Sequence, residues 1–327
     1  MSYFLAEITE IPCLDGARSA GKTMVLDRYL QGTVDSVRML HGFVDCVKIG
    51  WGLSYILDEE TLRSRIESFK KAGVTVSSGG TMLEIAVSKG KYMKALDGIA
   101  RVGFDTIELS EGVVEIPRHI KREIAEFVRS SGLRLHTEVG RKNPKSQLSL
   151  EETIDRISQM MDLGGDLVII EGRETGRSVE IYDDSGEIKL DWVERIRDSC
   201  PEDKLMFEAP QERQQTELIL KLGPKVNLGN VSAESIGALA TQRLGLRGDT
   251  LGALVENPVQ GASPAALFIY HVLQTHGSMD QTRMMSITGL QRRTVQKAIA
   301  YLIGNGFVRK TPDHRDMRRH IYSAERG

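Results

Sequence analysis

A strand that ends in a carboxylate, with a lysine a few residues further on, sets an acid beside a cation on an apolar support. Residues 133–142, LRLHTEVGRK, have this form. Alternation places Leu133, Leu135 and Thr137 on one side and Arg134, His136 and Glu138 on the other. Val139-Gly140, the cations Arg141 and Lys142, and then Pro144 close the stretch. Other predicted strands end alike: VDCVKIGWG around Lys48, DTIELSEG at Glu108, DLVIIEGRE at Glu171 and KLMFEAP at Glu208. Asp27 and Asn227 fall near the ends of two more, and Arg173 and Glu174 follow Glu171. Parity gives Lys48 the side of Val44 and Cys46, Glu171 that of Leu167 and Ile169, and Glu208 that of Met206.

Several carboxylates in one dry pocket need compensation. Lysines and arginines pair with them, a divalent cation binds them, or some take up protons. An all-oxygen donor set with no His/Cys cluster fits Mg²⁺ better than zinc. Gly79-Gly80-Thr81 at one strand end, and Gly229-Asn230 at another, let backbone N–H groups approach an anion; the plainer reading of a Gly-Gly pair is a turn. His136, two residues below Glu138, reads as a satisfied core histidine, and Trp51 and Met82 read as packing.

Strand and helix patterns alternate along the first 244 residues, after an irregular 1–20. Strands are expected at 22–27, 43–49, 74–77, 104–109, 133–139, 166–170, 204–207 and 226–228. Helices are expected at 33–41, 59–72, 82–102 with a break near Gly90, 118–131, 150–163, 190–198, 211–222 and 233–244. Eight strand–helix pairs in about 230 residues are the size of a (β/α)8 TIM barrel. An open doubly wound sheet is the alternative, but no G-x-G-x-x-G turn follows the first strand. Function in such a barrel sits where strands end and loops begin.

The chain has 327 residues, 40% hydrophobic and 27% charged, as in globular proteins. No apolar run approaches the ~20 residues that cross a bilayer, and MSYFLAEITE has neither the basic start nor the apolar core of a signal peptide. Cys13, Cys46 and Cys200 are scattered and form no C-x-x-C pair, which favours a reducing compartment. A cytoplasmic homo-oligomer with no membrane partner is expected.

As a set, VDCVKIGWG (44–52), GGTMLE (79–84), GFDTIELSEG (103–112), TEVGRK (137–142), VIIEGRETG (168–176), FEAP (207–210), VNLGN (226–230) and RLGLRGDT (243–250) resemble the phosphosulfolactate synthase family of coenzyme M biosynthesis. The resemblance covers roughly residues 10–250. It implies a Mg²⁺-dependent carbon–sulfur lyase that adds sulfite to phosphoenolpyruvate to give (2R)-2-phospho-3-sulfolactate, or a paralogue acting on a related phosphorylated enol or sulfonate. Sulfite attacks the terminal alkene carbon, charge builds on the carboxylate, and an acid protonates the phosphate-bearing carbon. The resemblance makes Lys142 the acid and Lys48 and Arg173 anion holders, and Glu138 is placed with Lys142 and Lys48 in the catalytic set. Substrate binding is expected from Asp27, Gly79, Gly80, Glu108, Arg173 and Asn227, and metal ligation, from position, by Glu138, Glu171 and Glu208. Three motifs depart from the family: Arg28-Tyr29 replaces Lys-Gly after Asp27, Leu53 replaces the Thr of WGTS, and Arg141 replaces the first Lys of EVGKK. Arg for Lys keeps charge and changes geometry.

Charge is uneven along the chain. Residues 258–327 carry ten Lys/Arg against four Asp/Glu, and the rest carries 33 against 41. Residues 251–262, rich in breakers, read as a linker. Ser263-Pro264 opens a helix to His276, a second helix covers 280–288, and in a third Val295, Ala298, Ile299, Leu302 and Ile303 share a face. With GFVRK and RRHIY as a two-stranded wing, residues 263–327 read as a winged helix–turn–helix domain. Arg292, Arg293, Gln296 and Lys297 would enter a DNA major groove, with Arg315, Arg318 and Arg319 on phosphates; dimerisation or docking is the alternative. This tail supports a rival function, a transcription regulator whose barrel senses a ligand without catalysis.

Overall fold

The computed structural model describes residues 21–29, 31–250, 263–313 and 316–324, and side chains except over 313–319. The expected irregular stretch 1–20 and linker 251–262 lie outside the described residues. The chain forms two compact units that divide between Leu251 and Gly252.

In the first unit, eight parallel strands close into a barrel in chain order. They are β1 (Thr23–Asp27), β2 (Cys46–Ile49), β3 (Thr75–Ser77), β4 (Thr106–Ser110), β5 (Arg134–Val139), β6 (Leu167–Ile170), β7 (Leu205–Glu208) and β8 (Asn227–Val231). Between and after them run α1 (Thr33–Met39), α2 (Glu59–Lys71), α3 (Gly80–Ser88), α4 (Tyr92–Val102), α5 (Arg118–Ser130), α6 (Leu150–Asp162), α7 (Leu190–Arg197), α8 (Glu212–Leu222) and α9 (Ile236–Arg243). This is a (β/α)8 barrel, as the alternation predicts. Local chemistry starts the helices: Asp58 accepts the Thr61 N–H ahead of α2, and Ser149 and Glu152 form a capping box on α6.

Strand parity sorts the side chains. Val25, Val47, Ile107, Leu109 and Leu135 face outward and pack on Ile66, Phe69, Leu96, Ile99, Ile124 and Val128 of the helices. Met24, Cys46, Leu167, Ile169 and Met206 fill the interior. Val44, expected inside with Cys46, joins the outer layer instead, because it lies before β2 begins. Inward positions of β2, β5 and β7 end in Lys48, Glu138 and Glu208, β4 carries Glu108 two residues before its last residue Ser110, and Glu171 follows β6. The register pairs Lys48 with Ser77, Ser110 with Glu138 and Glu138 with Ile169.

The second unit contains α10 (Pro264–His276), α11 (Gln281–Thr288), α12 (Arg292–Gly304) and an antiparallel pair, β9 (Val308–Asp313) and β10 (Asp316–Ala324). Ile269, Tyr270, Leu273, Val295, Ile299, Leu302, Val308 and Tyr322 form its own core. Among the described residues no helix is long and apolar enough to cross a membrane.

Candidate active site

The strand ends meet around a cavity of about 250 Å³ at the C-terminal mouth of the barrel. Lys48 is its hub, with Nζ 2.6 Å from Glu208 Oε1 and 3.4 Å from both Glu108 Oε1 and Glu138 Oε2. Lys142 forms a second layer, 3.5 Å from Glu171 Oε2 and 3.7 Å from Glu138 Oε1, and donates to Thr81 Oγ1 at 3.2 Å. Lys48 and the four glutamates are each buried.

Glycines make room for this crowd. A Cβ on Gly172 would lie 2.6 Å from the Glu208 carbonyl oxygen, and one on Gly112 2.8 Å from Lys142 Cε. Gly140 lies so close to the Glu171 side chain that a Cβ there would overlap it. Glu208, Lys142 and Glu171 are thus each seated against the backbone of the preceding strand's loop. The Tyr182 hydroxyl donates to the Glu208 carbonyl at 2.6 Å and fixes that backbone from outside.

Four carboxylates face two ammonium groups here. Burial works against the charge on Lys48, but the fields of Glu108, Glu208 and Glu138 outweigh it and hold its ammonium well above the ordinary lysine value. Burial likewise opposes Lys142, and Glu138 and Glu171 raise it above the usual range. Burial pushes Glu108 up to about 7, with Lys48 opposing. Burial also opposes the charge on Glu138, yet Lys142 and Lys48 hold it down at about 2. Burial and the neighbouring Glu138 and Glu208 push Glu171 well above the carboxylate range. Adjacent carboxylates this dry do not all ionise without a further cation.

Glu138, Glu171 and Glu208 each offer an oxygen, all within 4.8 Å of one another. Among the described residues Glu138 Oε1 and Glu171 Oε2 are buried with no hydrogen-bond donor, the Lys142 ammonium lying at ion-pair distance, 3.7 and 3.5 Å away. Both Glu208 oxygens are already engaged, by Lys48 and by the Gly172 N–H at 2.9 Å, though each keeps a second lone pair. An all-oxygen, net-negative cluster with open lone pairs fits a hard divalent cation.

Most of the expected residues come together here. Lys48, Gly79, Gly80, Glu108, Glu138, Lys142, Glu171, Arg173 and Glu208 all line the cavity. Gly80 opens α3, two residues before the expected start, and its N–H donates to Glu108 Oε1 at 2.7 Å. That amide therefore serves an internal carboxylate.

Two expected substrate residues are elsewhere. Asp27 shares the outward parity of Val25 and is fully buried against α2, held by Arg65 at 2.6 and 2.7 Å. Asn227 is the first residue of β8 and lies at the opposite end of the barrel; it caps the Lys22 N–H at 2.9 Å and donates to the Leu205 carbonyl at 2.8 Å. The expected strand 226–228 stops short of Val231, where β8 ends, so Asn227 reads as near the tip of a strand that it in fact opens. His136 is buried as expected, but among the described residues its Nδ1 has no hydrogen-bond partner, and burial takes its pKa down to about 3. Trp51 is not packing: it is 54% exposed on the cavity wall, with the Arg28 guanidinium 5.4 Å from its ring. Met82 also lines the cavity. Arg141 turns away, donating to the Glu111 carbonyl at 3.1 Å, and Leu53 packs on the outer core.

Glu174 lines the cavity beside Arg173 as its place after Glu171 suggests, whereas Thr81, Ser78 and Asn230 line it without having been singled out for their side chains. Only the GGT and GN motifs pointed near Thr81 and Asn230. Glu84, buried on α3, accepts from Ser110 Oγ and from the N–H groups of Val113 and Val114, and so shapes the loop after β4.

In the second unit, Arg292, Arg293, Gln296 and Lys297 are exposed on α12, while Val295, Ala298, Ile299 and Leu302 are buried.

Known proteins match the barrel portion. The profile of the family "(2R)-phospho-3-sulfolactate synthase (ComA)" matches residues 15–249. Phosphosulfolactate synthase of Methanocaldococcus jannaschii is 36% identical over 236 residues, covering 71% of this chain and 94% of that protein. The enzyme of the same name from Methanothermobacter thermautotrophicus is 36% identical over 239 residues, covering 72% and 93%. That from Bacillus subtilis is 34% identical over 239 residues, covering 71% and 93%.

Proposed function

We propose a function from one premise: the chain belongs to the (2R)-phospho-3-sulfolactate synthase family. Membership carries carbon–sulfur lyase chemistry at the level of the family. The finer reading is that this barrel adds sulfite to phosphoenolpyruvate to give (2R)-2-phospho-3-sulfolactate, with Mg²⁺. The observation that supports it most is the convergence of Lys48, Lys142 and four glutamates on one cavity.

In this reading Glu138, Glu171 and Glu208 hold the cation, which when bound supplies charge stabilisation for the substrate carboxylate. The sulfite sulfur lone pair attacks the terminal alkene carbon, and the alkene electrons move into the carboxylate. Lys142 then delivers its proton to the carbon bearing the phosphate. Lys48 locks Glu108, Glu138 and Glu208 in place, and Arg173 supplies a guanidinium for a substrate anion. Glu108 orients Gly80 and Lys48 rather than touching solvent. The departures Arg141 and Leu53 point away from the cavity, whereas Arg28 stacks on a residue of its wall. Of the three, Arg28 is the one placed to tune the substrate. Incubation with sulfite, phosphoenolpyruvate and Mg²⁺ tests the reaction. Stoichiometric loss of sulfite with sulfolactate formation supports it, and no consumption excludes it in favour of another phosphorylated enol.

For the rest of the chain the proposal is a barrel over 1–250, a linker over 251–262 and a winged helix–turn–helix domain over 263–327. The exposed basic face of α12 favours DNA as its partner. Affinity of the full chain for duplex DNA is then expected to fall steeply with salt and to drop when Arg292, Arg293 or Lys297 is replaced by Ala; salt-independent binding, or none, leaves dimerisation. A regulator with a silent barrel predicts ligand binding without turnover and DNA affinity that depends on the ligand. The proposed site is cytoplasmic, in a homo-oligomer.

A further inference from the structure

We infer that Asn230 is the positioning residue for Arg173, clamping its backbone so that the guanidinium stays on the cavity wall, and that it presents its own Oδ1 to a proton-bearing ligand anion. This rests on the cavity being the anion site described above.

Arg173 has a φ of 56°, in the left-handed region, although it carries a side chain. A residue persists there when its surroundings over-determine it. Both polar ends of its backbone are held by side chains. Its N–H donates to Glu171 Oε1 at 2.7 Å, and its carbonyl accepts from Asn230 Nδ2 at 3.3 Å. Asn230 is itself left-handed, with φ 52°, a conformation that asparagine tolerates better than most residues. The two residues come from the ends of β6 and β8, and both line the cavity. The clamp leaves the guanidinium free for a ligand: among the described residues its carboxylate partner is Glu174, at 4.0 Å.

The orientation of the Asn230 amide follows from chemistry. A carbonyl oxygen only accepts, so the nitrogen must face Arg173. Oδ1 is then turned elsewhere, and among the described residues it is buried with no donor. A buried acceptor and a cationic guanidinium from residues that line one cavity favour an anion that also carries an O–H, such as bisulfite or monoprotonated phosphate. Sulfate has no proton to donate.

Inorganic phosphate and sulfate are the probes, titrated calorimetrically at slightly acid pH into the full chain. Asn230→Ala is expected to weaken phosphate about tenfold, the order of one lost charge-assisted hydrogen bond, and to weaken sulfate less. In an Arg173→Ala background the same substitution should change sulfate affinity by less than about twofold, because the clamp has nothing left to deliver. Equal losses in both backgrounds, or no loss in either, overturn the inference. Should Asn230→Ala not fold, Asn230→Gly, which adopts the same backbone without strain, makes the same comparison. Coupled phosphate binding with no sulfite consumption keeps the clamp and sinks the proposed reaction; turnover without the coupling does the reverse.

Discussion

The Lys48 ammonium lies 2.6 Å from Glu208 Oε1, although 160 residues separate the two along the chain. One cation on β2 thereby ties the mouth of the barrel to β7, and through Glu108 and Glu138 to β4 and β5 as well.

Removing that cation leaves three buried carboxylates short of a partner. Lys48→Ala is expected to lose about 3–5 kcal/mol of stability in urea titrations and to lose turnover. Lys48→Ala/Glu208→Gln should recover part of the stability and none of the activity. A single variant of wild-type stability would show that the cluster is compensated otherwise.

Binding of a divalent cation should appear as stabilisation. At ten times its dissociation constant, Mg²⁺ is expected to add about 1.4 kcal/mol to unfolding of the wild type. Glu138→Gln and Glu171→Gln should abolish the gain, and Glu208→Gln should reduce it. Identical melting curves with Mg²⁺ and with a chelator would leave the three carboxylates without a metal role.

Acid and base conditions separate Glu108 from its neighbours. Burial raises its folded-state pKa from the ordinary 4.5 to about 7, with Lys48 opposing. Between these values the folded chain keeps a proton that the unfolded chain has released. The stability this contributes is complete below the unfolded value and drains away as pH rises through the folded one. Metal-free wild type should therefore lose stability relative to Glu108→Gln between about pH 4.5 and 7. Parallel pH profiles for the two proteins would contradict this.

Two glycines should behave differently when given a methyl group. Gly112→Ala meets the flexible methylenes of Lys142 at 2.8–3.0 Å. It is expected to cost under about 1 kcal/mol while moving the proposed acid, with turnover down by about tenfold or more. Gly172→Ala meets the Glu208 carbonyl oxygen at 2.6 Å, and backbone does not yield as a lysine chain does. Its expected cost is about 1–3 kcal/mol in stability. Reversed effects would mean that the crowding is relieved by other movements.

The amino-acid sequence alone determined the barrel, because period-2 and period-3.6 hydrophobicity are local properties that each segment carries by itself. It also determined which strand ends bear charge, and parity turned Lys48, Glu171 and Glu208 inward. The same parity, applied to Asp27 beside Val25, argues for the outward face it occupies. Asn227 misled because a strand's extent depends on its neighbours, and β8 continues to Val231 only because β1 and β7 bond to it. What the tertiary structure decided is convergence: that Lys48 takes three carboxylates, that Arg141 leaves the cavity, that Trp51 stays on its wall, and that Asn230 reaches Arg173. Those outcomes depend on barrel register and closure, which bring together residues too far apart in the chain for any local pattern to link.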